Sequence, residues 1–174
     1  MLKIFNDLEP FFWQSYEKIS VREYARLKKI SPPSASTLLK NYAKEGLLIV
    51  EEERRYLFFY VNRENLVFVK LSGAYFTNYF EKIGMISDIK AKFVNPTIVI
   101  FGSFSKAEVT NTSDLDIAIF SSVKSTVNLS VYEKKLQRPL QIFAFKNRAE
   151  IKNPNLLNNI LKGVVVYGSW YDGL

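Results

Sequence analysis

The first third of the chain changes from helix-like to strand-like spacing of its apolar residues. The segment Ser20–Glu23 is a capping box, which predicts the start of a first helix. Ser31-Pro32-Pro33 predicts the start of a second helix, because serine caps a helix and proline is tolerated in its first turn, and Gly46 predicts its end. Two apolar runs follow, at 47–52 and 56–61. This order is typical of a helix-turn-helix followed by a hairpin wing.

The rest of the chain begins with a helical pattern and then alternates strands with helices. Residues 63–92 lack proline and carry a broad apolar stripe, which predicts one long or broken helix, with candidate breaks at Gly73 and Gly84. The β-rich run Thr97–Phe101 predicts a strand. Further strands are predicted at 117–120, 140–145 and 164–167, and a helix between Asn153 and Gly163.

Composition excludes several kinds of site. The 174 residues include no cysteine and no histidine, so disulfides, thiolate metal sites, histidine zinc sites and histidine-based triads are excluded. Any catalysis must use carboxylates, hydroxyls, lysines or a metal held by oxygen ligands. No apolar run reaches membrane-spanning length and the N-terminus lacks a signal-peptide pattern, so we expect a cytoplasmic protein.

Positive charge is concentrated near the two predicted helices. The formal net charge is +7, and residues 18–44 carry seven basic side chains against Glu23 alone. Such a cluster is typical of a surface that binds phosphates. We expect DNA contacts from the second helix and from the wing, through Ser36, Thr37, Lys40, Asn41, Lys44, Arg54 and Arg55. The alternative is a solvated face that mediates protein contacts, which Glu51, Glu52 and Glu53 favour because an acidic wing repels DNA.

A glycine–serine pair and two aspartates carry the candidate chemistry. The strand at 97–101 leads into Gly102-Ser103, and Asp114-Leu115-Asp116 begins the next strand. Side chains alternate along a strand, so the two carboxylates face the same way, about 7 Å apart, and can share a hard cation. Gly102 lets the backbone approach a phosphate, Ser103 offers a hydroxyl, and Lys106 is a candidate phosphate contact.

Two segments resemble known families. "ASTLLKNYAKEGLLIVEEERRYLFFYV" resembles the winged-helix DNA-binding domains of prokaryotic regulators, over about residues 1–62. "GSFSKAEVTNTSDLDIAIF" resembles the polymerase beta-type nucleotidyltransferase superfamily, and is most similar to the minimal nucleotidyltransferases of bacteria and archaea, over about residues 65–170. Gly102, Ser103, Ser113, Asp114 and Asp116 match the family pattern, whereas Lys106 stands where arginine is frequent and Ala107 where glycine is usual.

The nucleotidyltransferase resemblance implies an activity and its cofactors. It implies transfer of a nucleoside monophosphate from a nucleotide triphosphate, with Mg²⁺ or Mn²⁺ on Asp114 and Asp116 and the phosphates on Gly102 and Ser103. The family also uses a third carboxylate on a later strand, and the corresponding position here is Gln141. Glu133 and Glu150 are near it in sequence, but neither matches by spacing.

We therefore predict an α+β protein with two domains: a winged helix-turn-helix at 1–62 and an α/β nucleotidyltransferase domain with a small mixed sheet at 63–174. One hypothesis is an enzyme acting on a nucleic acid or on a protein hydroxyl; its resemblance to the minimal nucleotidyltransferase antitoxins implies a helical partner toxin as acceptor. The other is a DNA-binding regulator whose impaired transferase domain senses nucleotide or supports dimers. Trp170 and Tyr171 are candidates for contacts in a homodimer.

Overall fold

A computed structural model describes residues 2–123 and 125–170, so Tyr171 lies outside the described residues. The chain forms two compact units, one of residues 1–72 with 107–111 and one of residues 73–106 with 112–174. The sequence-based domains, 1–62 and 63–174, stay a prediction. Within the described residues, no helix is long and apolar enough to cross a membrane.

The first unit is built from helices and one small sheet. Its helices are α1 (Lys3–Trp13), α2 (Val21–Lys28), α3 (Pro32–Lys44) and the first part of α4 (Leu66–Lys82). Its strands are β1 (Ile19–Ser20), β2 (Leu48–Glu53) and β3 (Tyr56–Val61), in the order β1-β3-β2, and both pairings are antiparallel.

Local sequence signals account for the boundaries of α2 and α3. The Ser20 Oγ accepts the backbone N–H of Glu23 at 3.2 Å, so the predicted start of this helix and its serine cap are confirmed. The Ser31 Oγ caps α3 in the same way, with prolines in its first turn, and Gly46 adopts a left-handed φ of +73° just past its end. The predicted hairpin is confirmed as well, since β2 pairs with β3 along its whole length. The identity of this unit as a DNA-binding winged helix stays a prediction.

The sequence pattern did not predict α1, because Pro10 lies inside it. This helix supplies much of the core of the first unit, with Leu8, Phe11 and Phe12 fully buried. It is tied to α2 and α3 through Asp7: the Tyr24 hydroxyl donates to its carbonyl oxygen and the Tyr42 hydroxyl to its carboxylate, each at 2.8 Å.

The second unit contains the predicted small mixed sheet. Its strands are β4 (Thr97–Phe101), β5 (Leu115–Phe120), β6 (Leu140–Phe145) and β7 (Val164–Tyr167), in the order β6-β5-β4-β7. Strands β5 and β6 are parallel, whereas β4 pairs antiparallel with β5 and β7. The remaining elements are the second part of α4, α5 (Met85–Lys92), α6 (Ser103–Lys106), α7 (Ser130–Leu136), a 3₁₀ turn at Arg148–Glu150 and α8 (Pro154–Leu161).

The two glycines expected to interrupt the long helix behave differently. Gly84 has a φ of +89° and separates α4 from α5, so this break is confirmed. Helix α4 continues through Gly73 without a break; a Cβ there would lie 2.9 Å from the Val164 side chain. Gly73 therefore serves close packing against β7 rather than a kink.

One face of the sheet packs against α8. Val99, Phe101, Ala118 and Phe120 form a buried cluster with Ile160 of that helix. Because side chains alternate along a strand, Asp116 has the same orientation as Ala118 and Phe120 and lies at the end of this face. The fold therefore places a carboxylate at the rim of an apolar layer.

Candidate nucleotide and nucleic-acid sites

Gly102 lies at the point where β4 ends and the candidate site begins. Phe101 pairs with Asp116 across the two antiparallel strands, so the chain after β4 turns beside the start of β5. Gly102 has a φ of +68°, and a Cβ at this position would lie 2.2 Å from Oδ2 of Asp116. Both the backbone conformation and the neighbouring carboxylate therefore require glycine.

Asp114 and Asp116 flank a fully buried leucine at the start of β5. Asp114 immediately precedes the strand, and the Leu115 side chain between them points into the core. Burial raises the pKa of the Asp116 carboxyl, the negative charge of Asp114 raises it further, and Lys106 opposes both effects. The two acids and Lys106 are thus within electrostatic reach of one another.

Gln141 lies next to both acids on the neighbouring strand. In the parallel pairing of β5 with β6, it is the partner of Asp116. Its Nε2 donates a hydrogen bond of 2.6 Å to Oδ2 of Asp114. The position that corresponds to a third family carboxylate is therefore beside the other two, but it holds an amide, which can offer an oxygen ligand and cannot accept a proton at neutral pH.

The two nearby glutamates accept hydrogen bonds from backbone N–H groups. Oε1 of Glu133 accepts the N–H of Leu140, and Oε2 of Glu150 accepts the N–H of Lys146, each at 3.0 Å. Across residues 2–123 and 125–170, no group of three or more His, Cys, Asp or Glu side chains is arranged to hold a metal ion. The candidate metal ligands of this site are therefore two carboxylates and an amide.

The loop between Gly102 and Asp114 is more structured than the sequence pattern indicates. Ser103 begins the one-turn helix α6 and is half-buried. Lys106 ends that helix, and its Nζ lies 3.5 Å from Oδ1 of Asn159. Ala107, at a position where the family usually has glycine, adopts a left-handed φ of +55°.

Arg138 is a residue of this region that sequence reasoning missed. Its Nη1 donates to the carbonyl oxygen of Ser113 at 3.0 Å, and its guanidinium lies 5.1 Å from the centre of the Phe104 ring. It therefore fixes the residue that precedes Asp114. The sequence does show a basic residue just before β6, but its hydrogen-bond acceptor, the carbonyl of Ser113, is brought near only by the pairing of β5 with β6.

The residues predicted to contact DNA lie on α3 and on the hairpin of the first unit. Thr37, Lys40, Asn41 and Lys44 are exposed, and Ser36 is half-buried. Arg54 and Arg55 form the exposed hairpin turn, with left-handed φ values of +49° and +68°.

Two members of the basic cluster are engaged in ion pairs with acidic side chains. Nζ of Lys18 lies 2.9 Å from Glu51 and 2.5 Å from Glu53, and Nζ of Lys28 lies 3.2 Å from Glu9. Neither ammonium is therefore as available to a phosphate as the charge count implies.

Comparison with known proteins identifies the second half of the chain. The family model described as "Polymerase beta, Nucleotidyltransferase" matches residues 85–171, which is half of the 174-residue chain. No curated protein and no solved structure matches the chain at a significant level. The matched range contains the strand, the glycine–serine pair and both aspartates described above, and the chain belongs to the polymerase beta nucleotidyltransferase family.

Proposed function

We propose that the second unit transfers a nucleoside monophosphate from a nucleotide triphosphate to a hydroxyl group of a nucleic acid or a protein. The observation that carries this proposal is the placement of the Asp116 carboxylate against the turn at Gly102, with Asp114 close enough for its charge to act on Asp116. In the reaction, an acceptor hydroxyl oxygen forms a bond to the α-phosphorus, the bond from that phosphorus to the bridging oxygen breaks, pyrophosphate leaves and the hydroxyl proton passes to solvent.

The carboxylates fit a divalent cation. Mg²⁺ is usually held by one or two carboxylates together with substrate phosphates, and Asp114 and Asp116 supply that donor set. Burial, and then the negative charge of Asp114, raise the pKa of Asp116, and a cation between the two carboxylates would relieve their repulsion. Bound Mg²⁺ or Mn²⁺ would neutralise the charge of the phosphates.

Three residues are proposed to hold the triphosphate. Gly102 exposes its backbone because it has no side chain, Ser103 offers its hydroxyl, and Lys106 adds a positive charge that acts on Asp116. None of these contacts needs a proton to be exchanged. Their role is to orient the α-phosphorus for attack.

Labelled nucleotides test this proposal. The chain would be incubated with each of the four labelled nucleotide triphosphates, with Mg²⁺ or Mn²⁺, and with cell extract as acceptor. Label should enter an acceptor, and Asp114→Asn and Asp116→Asn should each reduce the rate by about 100-fold or more, since each removes charge stabilisation at the reacting phosphate. Glu81→Gln, which neutralises an exposed carboxylate of α4, is the matched control and should leave the rate unchanged.

The first unit is proposed to bind DNA as a winged helix. Support comes from the order of α2, α3 and the β2–β3 hairpin, and from the exposure of Lys40 and Lys44 on α3. We propose that Ser36, Thr37, Lys40, Asn41 and Lys44 face the major groove and that Arg54 and Arg55 contact the backbone. Binding should weaken steeply as salt is raised, because bound phosphates release counterions.

A second candidate function is that of a DNA-binding regulator that holds nucleotide without transferring it. The hydrogen bond from Gln141 to Asp114 favours it, because an amide stands where the family has its third carboxylate. In that case labelled nucleotide binds but enters no acceptor, and Gln141→Asp should begin transfer. Transfer of label by the unaltered chain would contradict this candidate.

The proposed partners follow from these two activities. We propose a nucleotide triphosphate and DNA as ligands in the cytoplasm of a prokaryotic cell. A protein hydroxyl as acceptor, on a helical toxin, is a further proposal that rests on resemblance to the minimal nucleotidyltransferase antitoxins. A homodimer is a separate proposal that rests on the aromatic residues Trp170 and Tyr171.

A further inference from the structure

The β2–β3 hairpin presents an unusual combination of charges. Glu51, Glu52 and Glu53 end β2, and Arg54 and Arg55 form the turn directly after them. A surface that approaches DNA phosphates with three adjacent carboxylates meets repulsion unless those charges are screened. The hairpin therefore needs a source of positive charge close to its acidic strand.

Lys18 supplies that charge across the sheet. It precedes β1, which pairs with β3, so its side chain extends over β3 and lies 5.9 Å from the centre of the Tyr60 ring. From there its Nζ reaches Glu51 at 2.9 Å and Glu53 at 2.5 Å. These two glutamates have the same orientation because side chains alternate along β2. One ammonium thus holds two carboxylates.

The ion pairs alter the properties of both partners. The hydrogen bond with Lys18 is the largest cause that lowers the pKa of Glu53, and hydrogen bonds with Glu51 and then Glu53 raise the pKa of Lys18. At neutral pH, Lys18 and Glu53 are therefore both charged. Since Lys18 is committed to these acids, its effect on a phosphate is to offset their charge rather than to bind the phosphate itself.

The hairpin turn is held in a conformation that its residues disfavour. Both Arg54 and Arg55 have left-handed backbone angles, for which glycine and asparagine are the usual residues. Non-glycine residues are strained in this region because the Cβ comes close to the following carbonyl oxygen. Arg22 adds a third guanidinium at this end of the sheet, 5.7 Å from the centre of the Tyr56 ring. Arginine at a disfavoured turn is consistent with a surface selected for its charge.

We propose that Lys18 is a positioning residue that screens Glu51 and Glu53, so that Arg54 and Arg55 can approach the phosphates of double-stranded DNA. This inference rests on the proposed DNA binding of the first unit. It gives Lys18 a role that depends on the two glutamates, whereas a lysine in direct contact with a phosphate would act without them.

A mutant cycle measured by fluorescence anisotropy separates these two roles. Binding of a mixed-sequence DNA duplex at low salt would be compared for the unaltered full chain, Lys18→Gln, the pair Glu51→Gln with Glu53→Gln, and the triple variant. Lys18→Gln should weaken binding by about fivefold when the glutamates are present, and by less than about twofold when both are glutamine. Lys70→Gln, which removes an exposed lysine of α4, is the control for the loss of one charge and should weaken binding by less than about twofold.

The outcomes are distinguishable. A loss that is equal or larger in the glutamine background would show that Lys18 contacts phosphate directly, and would overturn the inference while leaving DNA binding intact. No effect of Lys18→Gln on a chain that binds DNA would also overturn it. No binding of DNA by the unaltered chain would overturn the proposed function itself. Thermal unfolding of each variant shows that it is folded, and little change in the midpoint is expected because exposed ion pairs contribute little to stability.

Discussion

Two residues of the candidate site, Gly102 and Asp116, are each constrained by their backbone or burial and by a neighbouring charged group. Gly102 is needed because its backbone is left-handed and because the Asp116 carboxylate occupies the space of a side chain. Asp116, in turn, is held where burial and the charge of Asp114 disfavour its ionised form. A carboxyl group whose ionised form is destabilised by burial and by a nearby like charge is typical of functional sites.

Gly102→Ala should displace the Asp116 carboxylate. The added Cβ would stand 2.2 Å from Oδ2 of Asp116, and the left-handed backbone adds a cost of about 1–2 kcal/mol. We expect a lower free energy of unfolding in denaturant titrations and a loss of nucleotide binding measured by calorimetry. Gly46→Ala is a matched control, because Gly46 has a similar φ of +73° in the first unit, where its Cβ would have room. Equal nucleotide binding by both variants would contradict this account of Gly102.

Asp116→Asn should stabilise the fold at neutral pH. The folded-state pKa of Asp116 is raised above its ordinary value of 3.8, so the folded protein binds this proton more tightly than the unfolded chain. Stability therefore falls as the pH rises from 3.8 through the folded pKa, and asparagine removes that loss. Thermal unfolding at pH 7 should give a higher midpoint for the variant than for the unaltered chain. Below pH 3.8 the difference should disappear, and a lower midpoint for the variant at pH 7 would be evidence against the charge conflict.

At the scale of elements, β6 combines the candidate site with an edge of the sheet. Leu115 and Ser121 of the neighbouring chain segment donate to the carbonyl oxygens of Pro139 and Phe145. By the alternation of a parallel pairing, the N–H groups of Leu140 and Lys146 point away from β5. The carboxylates of Glu133 and Glu150 accept hydrogen bonds from these two N–H groups, so the outward-facing donors at both ends of β6 have partners.

Removing these carboxylates should open the edge of β6. Glu133→Ala and Glu150→Ala each leave an N–H without its acceptor and should lower the free energy of unfolding by about 0.5–1.5 kcal/mol. Glu133→Gln and Glu150→Gln keep an acceptor oxygen and should stay close to the unaltered protein in denaturant titrations. The double alanine variant should also self-associate in analytical ultracentrifugation, because an open apolar edge pairs readily with a second strand. A monomeric double variant of unchanged stability would exclude this role of the two glutamates.

The elements that could be predicted from sequence are those fixed by short-range chemistry. Serine caps, a terminal glycine and alternation along strands determine α2, α3 and the hairpin. The pattern around Gly102 and Asp114 places the first directly after β4 and the second directly before β5, which pairs with β4. Helix α1 escaped prediction because Pro10 ordinarily ends a helix, whereas here the buried face of Leu8, Phe11 and Phe12 outweighs it.

Contacts that depend on strand register lay beyond sequence reasoning. The hydrogen bond from Gln141 to Asp114 requires the parallel pairing of β5 with β6. The ion pair of Lys18 with Glu51 requires β1 and β2 to lie on either side of β3. Neither strand pairing can be inferred from residue types or their spacing along the chain. For this reason the sequence alone indicates an acidic β2 and does not reveal the ion pairs of Lys18 with Glu51 and Glu53.

At the scale of the whole molecule, the chain forms two compact units with separate candidate chemistries. The carboxylates of the nucleotide site lie in one unit and the exposed lysines of α3 in the other. Because each candidate site is built from side chains of its own unit, nucleotide binding and DNA binding should respond to different substitutions.

The paired variant Lys40→Ala with Lys44→Ala tests this separation. Each lysine neutralises a phosphate, so their removal should lower DNA affinity and reduce the slope of log affinity against log salt by about 2. The same variant should bind nucleotide with unchanged affinity in calorimetry, whereas Asp114→Asn should show the opposite pattern. An unchanged gel-shift affinity for the lysine variant would show that α3 does not contact DNA. A loss of both binding activities in a folded lysine variant would contradict the separation, because Lys40 and Lys44 belong to the first unit and the two carboxylates to the second.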